Sequence, residues 1–574
     1  MKKLLIFVFT LIVILSMAAA CAPQPTPTPA NPAPTAAHQA ATTSLTAVPP
    51  TTVPPTVVPT KVPPTAAPAP VSFNYAFLDE PPAIDPSVSV GATQSTIYAA
   101  LYEGLVAVDS KGNIIPAAAT SWEVSADKLV YTFHLRDGLK WSDGKPVTAG
   151  DFAWSWVHVL DPKTASAYSW FVETYLKNAT DFIKGKVAAD QVGVKATDDK
   201  TLVVTLGSPA SYFLQALLTG CWMPVRQDMV KANPEKWAYD AKTAISNGPF
   251  VLTEYKIGAY ITAEKNKNYW DAANVKIDKL KFSFITDANT AYSAFKAGDV
   301  DGIAGVPSTE FVNILASDKR LFTYNQLRFN FLRLNTTTPG LDNVKVRRAI
   351  NMAFDRKAYL AGLGNITTQP ILGTVPNGLF LAGKNFRDVS GDNGLAPTAQ
   401  IDAAKKLLAD AGYADGKGLP TFRLHCPDTQ VKNAEIVQQM LLKNLGIKAD
   451  IKCVDTKLNF PMMIDGKYDI AFGGWGGDYN HPMTFVELFT STASDNATRW
   501  KNADYDALID KARGETDEAK QLDLFVQAEH LLMQESPIVP ISVPSGAIMI
   551  SDKVTNWFLT PSDTLYIYKA VIKK

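Results

Sequence analysis

The chain contains 574 residues, of which 55 are Lys or Arg and 55 are Asp or Glu, so its formal net charge is zero. That balance, together with the absence of any basic run in the sequence, argues against a nucleic-acid partner. After residue 20 no apolar run approaches the roughly 20 residues that a membrane-spanning helix needs, so we expect the rest of the chain to stay outside the bilayer.

The N-terminal segment predicts export. Two lysines precede an apolar run over residues 4–15, and small residues at 18–20 lead to Cys21. The apolar run has the length of a signal peptide and is shorter than a membrane span. The segment resembles a bacterial lipobox, in which the cysteine is lipidated and becomes the mature N-terminus. We therefore interpret residues 1–20 as a lipoprotein signal peptide and Cys21 as the lipidation site; an ordinary secretory signal is the alternative.

Residues 21–70 consist almost wholly of Pro, Thr, Ala and Val. Such a stretch has no periodic apolar face and cannot bury a core. Dense proline keeps it extended, and at about 3.1 Å per residue it reaches on the order of 150 Å. The composition predicts a disordered tether that holds a globular body away from a membrane.

The body that follows alternates strand-like and helix-like segments. The runs KLVYTFHL and TLVVTL alternate with period two, as half-buried strands do. Further along, VKVRRAINMAF, QIDAAKKLLADAG and AEIVQQMLLKNLG each place apolar residues on one helical face. The last of these ends in Gly446 as a C-cap, and the strand-like IKADIKCV follows. Interleaved strands and helices predict an α/β architecture.

Three cysteines remain after Cys21, namely Cys221, Cys426 and Cys453. An odd number in an exported body leaves at least one free thiol. Cys426 and Cys453 each end a strand-like run, so a disulfide between them is possible. Buried free thiols are an equally open alternative.

The stretch GGWGGDYNHP, residues 473–482, places Trp475 between two pairs of glycines and Asp478 directly after them. Glycine occurs where a chain turns tightly or approaches other atoms closely. One interpretation is a turn after the strand-like run YDIAFGGW. The other is that a ligand lies against this backbone.

Several segments, in order, carry a family resemblance. They are LKWSDGKPVTAGDFAWSW, SNGPFVLTEYKIGAYITAEKNKNYWD, FKAGDVDGI, FLRLNTTTPGLDNVKVRRAINMAFDR and AKKLLADAGY. From about Phe73 to the C-terminus the chain resembles the bacterial extracellular solute-binding proteins of family 5, the peptide and nickel receptors of ABC importers. The resemblance implies the two-lobed α/β fold of periplasmic binding proteins (type II, cluster C), with an additional inserted lobe and a hinge of two crossing strands. Ligand then binds in the cleft between the lobes.

The resemblance also implies a division of the body into three lobes. Lobe I is expected from residues 71–102, 228–329 and 546–574. The inserted lobe II is expected from residues 103–227, and lobe III from residues 330–545.

Within the family, GGWGGDYN is most similar to the oligopeptide receptors. The resemblance implies that a ligand peptide pairs as a strand with this backbone, where Gly473, Gly474, Gly476 and Gly477 allow a close approach. Trp475 is expected to form a wall beside a side-chain pocket. Protein backbone can satisfy the peptide's N–H and C=O groups whatever its side chains are. Asp478 is then expected to meet the peptide's α-ammonium.

The opposite wall of the cleft is expected from the segment SVSVGATQST. By the family pattern, Val90, Gly91 and Ala92 form a second pairing strand, and Tyr168 lines the pocket. The alternative is an ordinary core role: a core strand at residues 90–92 and a buried aromatic ring with its hydroxyl bonded at 168.

The sequence departs from the family pattern at the far end of the ligand. Oligopeptide receptors carry cationic side chains there, which meet the peptide's C-terminal carboxylate. The corresponding residues here are Met463, Phe472 and Gln430. We therefore expect no fixed cation at this end, and a ligand whose tail runs to solvent, is long or lacks a free carboxylate.

No hydrolase motif, metal-ligand histidine spacing or dinucleotide fingerprint is present in the sequence. We therefore expect no enzymatic activity, no metal and no cofactor. His481 lies three residues after Asp478, and we interpret it as a surface histidine in a turn.

The predicted function is a lipid-anchored, monomeric receptor on the outer face of the cell membrane. It captures oligopeptides and delivers them to the permease subunits of an ABC importer. A murein peptide, a signalling peptide, a dipeptide or a sugar oligomer is the alternative ligand. A secreted enzyme or adhesin with the same fold is the alternative class.

Overall fold

A computed structural model describes residues 69–364, 367–493 and 495–573 of the chain. The predicted signal peptide, Cys21 and nearly all of the predicted tether lie outside these residues. Within them, no helix combines the length and the apolar character that crossing a membrane requires.

Three β-sheets of four or more strands organise the described residues. Their strands, in chain order, are β1 (Ser72–Phe77), β2 (Ala119–Val124), β3 (Val130–Leu135), β4 (Val194–Ala196), β5 (Thr201–Thr205), β6 (Phe250–Lys256), β7 (Tyr260–Lys265), β8 (Lys279–Phe284), β9 (Gly302–Ile303), β10 (Leu321–Asn325), β11 (Arg328–Leu334), β12 (Gln369–Pro370), β13 (Phe422–Pro427), β14 (Ala449–Val454), β15 (Ile470–Gly476), β16 (Ile538–Val543) and β17 (Ser545–Ile550). Two-stranded ribbons pair Val106–Val108 with Ile114–Pro116, Phe380–Leu381 with Lys384–Asn385, Val554–Thr555 with Val571–Ile572, and Phe558–Leu559 with Leu565–Tyr566.

Helices alternate with these strands along the chain. They are α1 (Ala92–Leu101), α2 (Ala149–Leu160), α3 (Ser169–Tyr175), α4 (Ala179–Ile183), α5 (Phe213–Ala216), α6 (Gln227–Ala232), α7 (Ala288–Ala297), α8 (Phe311–Ser317), α9 (Val344–Ala353), α10 (Arg356–Gly362), α11 (Phe386–Ser390), α12 (Ile401–Asp410), α13 (Val431–Leu445), α14 (Thr456–Ile464), α15 (Met483–Val486), α16 (Ala503–Gly514) and α17 (Glu518–Glu535). The predicted C-cap at Gly446 is confirmed, because this residue follows α13 in the left-handed conformation at φ 69°.

The seven-stranded sheet has the order β10-β17-β9-β1-β8-β7-β6. Its central strand β1 pairs in parallel with both neighbours. Phe73, Tyr75 and Phe77 pack into the core on one face of β1, and Ala76 packs into a second core on the other. A strand buried on both faces is typical of the parallel part of an α/β sheet.

The six-stranded sheet has the order β12-β16-β11-β15-β13-β14. Its parallel neighbours β13 and β14 bring Cys426 opposite Cys453, and a disulfide joins them. Of the two alternatives for these cysteines, the structure therefore has the bridge. Cys221 is a buried free thiol.

The four-stranded sheet, of order β2-β3-β5-β4, uses strands from a single stretch of the chain. Its core contains Phe133, Trp156 and Trp222. The indole Nε1 of Trp156 donates to the carbonyl of Trp222 at 2.8 Å, and the two rings pack edge to face. This sheet supplies the inserted lobe that the family resemblance implies.

Two chain crossings connect the seven-stranded and six-stranded sheets. β10 leads directly into β11, and β16 leads directly into β17. The crossings touch, since the N–H of Gln326 donates to the carbonyl of Pro544 at 3.0 Å. The predicted fold class, with two α/β lobes, two crossing strands and an inserted lobe, is confirmed; the limits of each lobe stay a prediction.

Candidate functional site

The backbone of β15 has one free edge next to the glycine-rich stretch. β11 pairs antiparallel along all of β15, whereas β13 pairs with its first two residues. The N–H of Gly477 donates to the carbonyl of Leu327, the residue before β11. Because antiparallel strands alternate the direction of their polar groups, the N–H and C=O of Gly474 and Gly476 point to the opposite edge. No strand of the described residues pairs with that part of the edge, so an extended ligand could add to the sheet there.

The glycines of this stretch are needed for close packing rather than for a turn. None of the four has a positive φ. A Cβ built at Gly473 would collide with the guanidinium of Arg333. One built at Gly477 would lie 2.9 Å from side-chain carbons of Leu327 and Phe485, closer than Cβ atoms come. Two of the glycines therefore make room for neighbouring protein side chains.

A cavity lies where β15 ends. Six of the eight predicted ligand-contacting residues line it, although they come from distant parts of the chain: Val90, Gly91, Ala92, Tyr168, Gly476 and Asp478. The other two, Gly474 and Trp475, line a second cavity farther along β15. The eight predicted residues are thus divided between two cavities that border different parts of β15.

Asp478 is held by contacts from several elements. The hydroxyl of Tyr168 donates to its Oδ1 at 3.4 Å. Its backbone carbonyl accepts from the hydroxyl of Thr219 at 3.1 Å, and its N–H donates to Thr484 Oγ1 at 3.3 Å. Trp475 Nε1 also donates to Thr484 Oγ1, at 3.4 Å. These contacts hold the backbone of Asp478 next to the end of β15, and Tyr168 contacts its carboxylate.

Among the described residues, no positive charge offsets the charge of Asp478. Burial is the main reason that the pKa of this carboxyl is raised to about 7, and the negative charge of Glu487 contributes to the same shift. No cationic side chain of the described residues lies within 4.0 Å of it. A second carboxylate, Asp563, lines the same cavity and accepts from Gln326 Nε2 at 2.9 Å. A cation entering the cavity would thus meet in Asp478 a carboxylate that accepts from Tyr168 but has no ion-pair partner within 4.0 Å.

Val90, Gly91 and Ala92 do not form a full strand in the structure, and their pairing with a ligand stays a prediction. Gly91 is extended, at φ −175° and ψ 174°, but it is the N-cap of α1, and Ala92 is the first helical residue. The carbonyl of Gly91 already accepts from the N–H of Ser95 at 2.8 Å. The helix therefore uses the carbonyl of Gly91, and all three residues line the cavity.

The residues that line the second cavity differ from the sequence-based expectation that no cation lies at the far end of the ligand. Met463, Phe472 and Gln430 line it, as their positions predict. Arg328 and Arg333 also line it, and both belong to β11. The expectation of an end without a fixed cation is therefore wrong, because guanidinium groups reach this cavity from a neighbouring strand.

His481 is a core residue, not the surface histidine of the sequence-based interpretation. Its ring is buried and stacks on that of Tyr212, with the centroids 4.7 Å apart. Burial lowers the pKa of the imidazole to about 3, so it stays neutral at physiological pH. It packs behind the cavity and takes no part in an acid–base pair with Asp478.

Sequence reasoning missed Arg333, Thr219 and Asp563. Arg333 could have been recognised from the sequence, since the strand RFNFLRL has this charge among apolar residues in its buried half. Such a charge needs a partner or a function. Thr219 and Asp563 carry no comparable local signal, because the fold alone brings them to the cavity.

Comparisons with known proteins agree with this geometry. Residues 113–497 match the family described as bacterial extracellular solute-binding proteins, family 5 middle. The chain is 32% identical over 514 residues to the oligopeptide-binding protein OppA of Bacillus subtilis, covering 88% of this chain and 93% of that protein. It is 31% identical over 509 residues to the probable deoxycholate-binding periplasmic protein YgiS of Escherichia coli, covering 87% and 93%.

A solved structure is also similar over the whole body. The structure of the murein tripeptide-binding protein MppA of Escherichia coli superposes with a TM-score of 0.73 at 30% sequence identity. The superposition covers 88% of this chain and 99% of MppA. By their names, these relatives are binding proteins rather than enzymes.

Proposed function

Since the chain belongs to family 5 of the bacterial extracellular solute-binding proteins, we propose that it is a lipid-anchored receptor that captures oligopeptides between its lobes and delivers them to an ABC importer. The observation that carries this proposal is the uncompensated carboxylate of Asp478, which lies beside the free edge of β15. A peptide offers the two complementary features together, an α-ammonium and a backbone that can pair as a strand.

The proposed binding mode assigns a role to each predicted residue. The α-ammonium meets Asp478, whose carboxylate Tyr168 orients through its hydroxyl. The peptide then runs antiparallel to β15, and its backbone bonds to the outward-facing groups of Gly474 and Gly476. Trp475 forms a wall beside the second cavity.

On the opposite wall of the cleft, residues 90–92 are expected to offer the peptide fewer backbone hydrogen bonds than a full strand would. Val90 and the extended Gly91 precede α1, so the N–H groups at the start of that helix are the ones that can face a ligand. Ala92 then limits the width of the cavity. Peptide pairing on this side is therefore expected to stop at one or two hydrogen bonds.

The sequence supports the lipid anchor, and similarity to known proteins supports the transport of a peptide. Cys21 follows a signal-like segment and precedes a long proline-rich stretch, which together favour a lipid anchor on the outer face of the membrane. Relatives named as oligopeptide-binding and murein-peptide-binding proteins support a peptide as the transported ligand. We propose that a monomer serves the permease subunits of the importer.

One relative is named as a probable deoxycholate-binding protein, so deoxycholate is a useful comparison ligand for peptides. It is an anion without an ammonium group, so the cavity at Asp478 would repel it. Titration calorimetry with tri- to pentapeptides, their N-acetylated forms and deoxycholate tests the proposal. Binding of the free peptides alone supports it. Equal binding of acetylated peptides, or a preference for deoxycholate, would refute it.

A further inference from the structure

The disulfide between Cys426 and Cys453 lies close to the ends of two neighbouring strands. The two cysteines face each other in the parallel register of β13 and β14, and one further residue pair follows them. β14 is the edge strand of the six-stranded sheet, and β13 lies between it and β15. Cys426 is buried, whereas Cys453 is partly exposed. The bridge therefore joins an inner strand of the sheet to its edge strand.

Each of these two strands leads into a helical segment that lines the second cavity. After the bridge, the β13 side contributes Pro427, Gln430 and Asn433, the last of them in the first turn of α13. The β14 side contributes Asn459 and Met463, which belong to α14. The disulfide thus lies where the chain departs towards two walls of the same cavity.

The wall formed by α13 has anchors besides the disulfide. One face of this helix is buried in the core beside the six-stranded sheet, through Ala434, Val437, Leu441 and Leu445. The side-chain amide of Asn433 donates to the hydroxyl of Tyr359 at 2.7 Å. Loss of the bridge would therefore leave α13 held by its own packing.

The wall formed by α14 is held less firmly. Among the described side chains of this helix, Asn459 and Met463 are buried, whereas Leu458 is 58% exposed. Met463 packs in a small cluster with Tyr468. Pro461 lies inside the helix and lacks the N–H that would bond to the preceding turn. Because the strand before α14 is an edge strand, the disulfide is a covalent tie between the start of this helix and the interior of the sheet.

A peptide bound as proposed would place its later residues in the second cavity. Four residue steps separate Asp478 from Gly474, and a strand advances about 3.4 Å per residue, so the two lie on the order of 14 Å apart. A peptide with its α-ammonium at Asp478 that runs antiparallel to β15 would thus reach this cavity with about its fourth residue. The position of α14 then bears on how well those residues are held.

We propose that the disulfide between Cys426 and Cys453 positions α14 as a wall of the second cavity and thereby raises the affinity for peptides that reach it. This inference rests on the proposed function and gives a positioning role to two residues that do not themselves line the cavity. Without the bridge, α14 has more positions open to it, and binding must restrict them at a cost in conformational entropy.

The test compares the oxidised full chain with the same protein reduced by dithiothreitol, titrated with one pentapeptide. Reduction splits the S–S bond into two thiols, and Cys221 is already a free thiol. Affinity should fall about tenfold on reduction and return on reoxidation. The double variant Cys426→Ala, Cys453→Ala should bind like the reduced protein and not respond to dithiothreitol. The control variant Cys221→Ala should respond as the unmodified protein does.

Two further substitutions distinguish positioning from a general loosening of the protein. Asn459→Ala shortens a side chain of the α14 wall, so it should weaken binding in the oxidised protein and do so less after reduction. Tyr168→Phe alters the cavity at Asp478, whose lining includes no residue of β13, β14, α13 or α14. It should weaken binding by the same factor in both states.

The outcomes separate this inference from the proposed function. Equal affinity in the oxidised and reduced states would overturn the positioning role while peptide binding itself stands. A loss on reduction that is coupled as strongly to Tyr168→Phe as to Asn459→Ala would also overturn it. If no peptide binds to the oxidised protein, the proposed function fails and this inference with it. Circular dichroism checks the fold: if neither the reduced protein nor the double variant stays folded, the bridge serves the fold alone and the proposal is wrong.

Discussion

Replacement of Asp478 by asparagine tests how the receptor would recognise a peptide's N-terminus. The substitution keeps the shape of the side chain and removes its charge. In the proposed complex it leaves an α-ammonium buried opposite a neutral amide. Removing one partner of a buried ion pair typically costs about 3 to 5 kcal/mol.

The structure supports a value in the lower part of that range. A pKa raised from 3.8 to about 7 means that ionising this carboxyl costs about 4 kcal/mol more than in water. A bound ammonium would offset part of that cost. Because Asp478 keeps part of its surface exposed, we expect a loss of about 3 kcal/mol, roughly a hundredfold or more in affinity.

The assay is a double-mutant cycle by titration calorimetry. Acetylating the peptide removes the same interaction from the other side, so it should weaken binding by a similar factor. Asp478→Asn combined with the acetylated peptide should lose much less than the sum of the two changes, because contacting partners are coupled. Additive losses would refute the contact between Asp478 and the α-ammonium.

Asp563→Asn is the matched control, since this carboxylate lines the same cavity. It already accepts a hydrogen bond from Gln326. We expect a loss below about tenfold and no coupling to acetylation. Coupling at Asp563 in place of Asp478 would show that the ammonium site has been assigned to the wrong carboxylate.

Three further predictions concern other parts of the account. Peptide affinity should fall about tenfold per pH unit below pH 7, since Asp478 with its pKa of about 7 must ionise to bind an ammonium; a flat calorimetric profile from pH 5 to 7 would contradict this. Gly477→Ala should lower the free energy of unfolding by about 1 to 3 kcal/mol, because the added Cβ would overlap Leu327 and Phe485. Urea unfolding of the variant and the unmodified protein measures this difference. Cys21→Ser should move the protein from the membrane fraction to the soluble fraction on immunoblots, and unchanged retention would exclude the lipid anchor.

The sequence predicts the regular elements of this protein well, because periodicity is a local property. YDIAFGGW corresponds to β15, and AEIVQQMLLKNLG falls within α13 and its C-cap. Family resemblance adds the arrangement of lobes, which requires contacts between residues hundreds of positions apart.

The predictions fail where the outcome depends on packing between distant segments. His481 has the local sequence of a turn, yet Tyr212 covers it from the inserted lobe. Gly91 has the extended backbone of a strand, yet a helix begins at the next residue. The family pattern has cations at three positions that are uncharged in this chain, whereas Arg333 lines the same cavity from β11.

In the proposed complex a peptide adds to β15 with its α-ammonium at Asp478. A crystal structure of the protein with a bound pentapeptide tests this most directly. We expect the peptide nitrogen about 2.7 to 2.9 Å from the Asp478 carboxylate, and the peptide backbone bonded to Gly474 and Gly476 in antiparallel register. A peptide bound in the reverse direction, or one that leaves Asp478 facing solvent, would contradict the account.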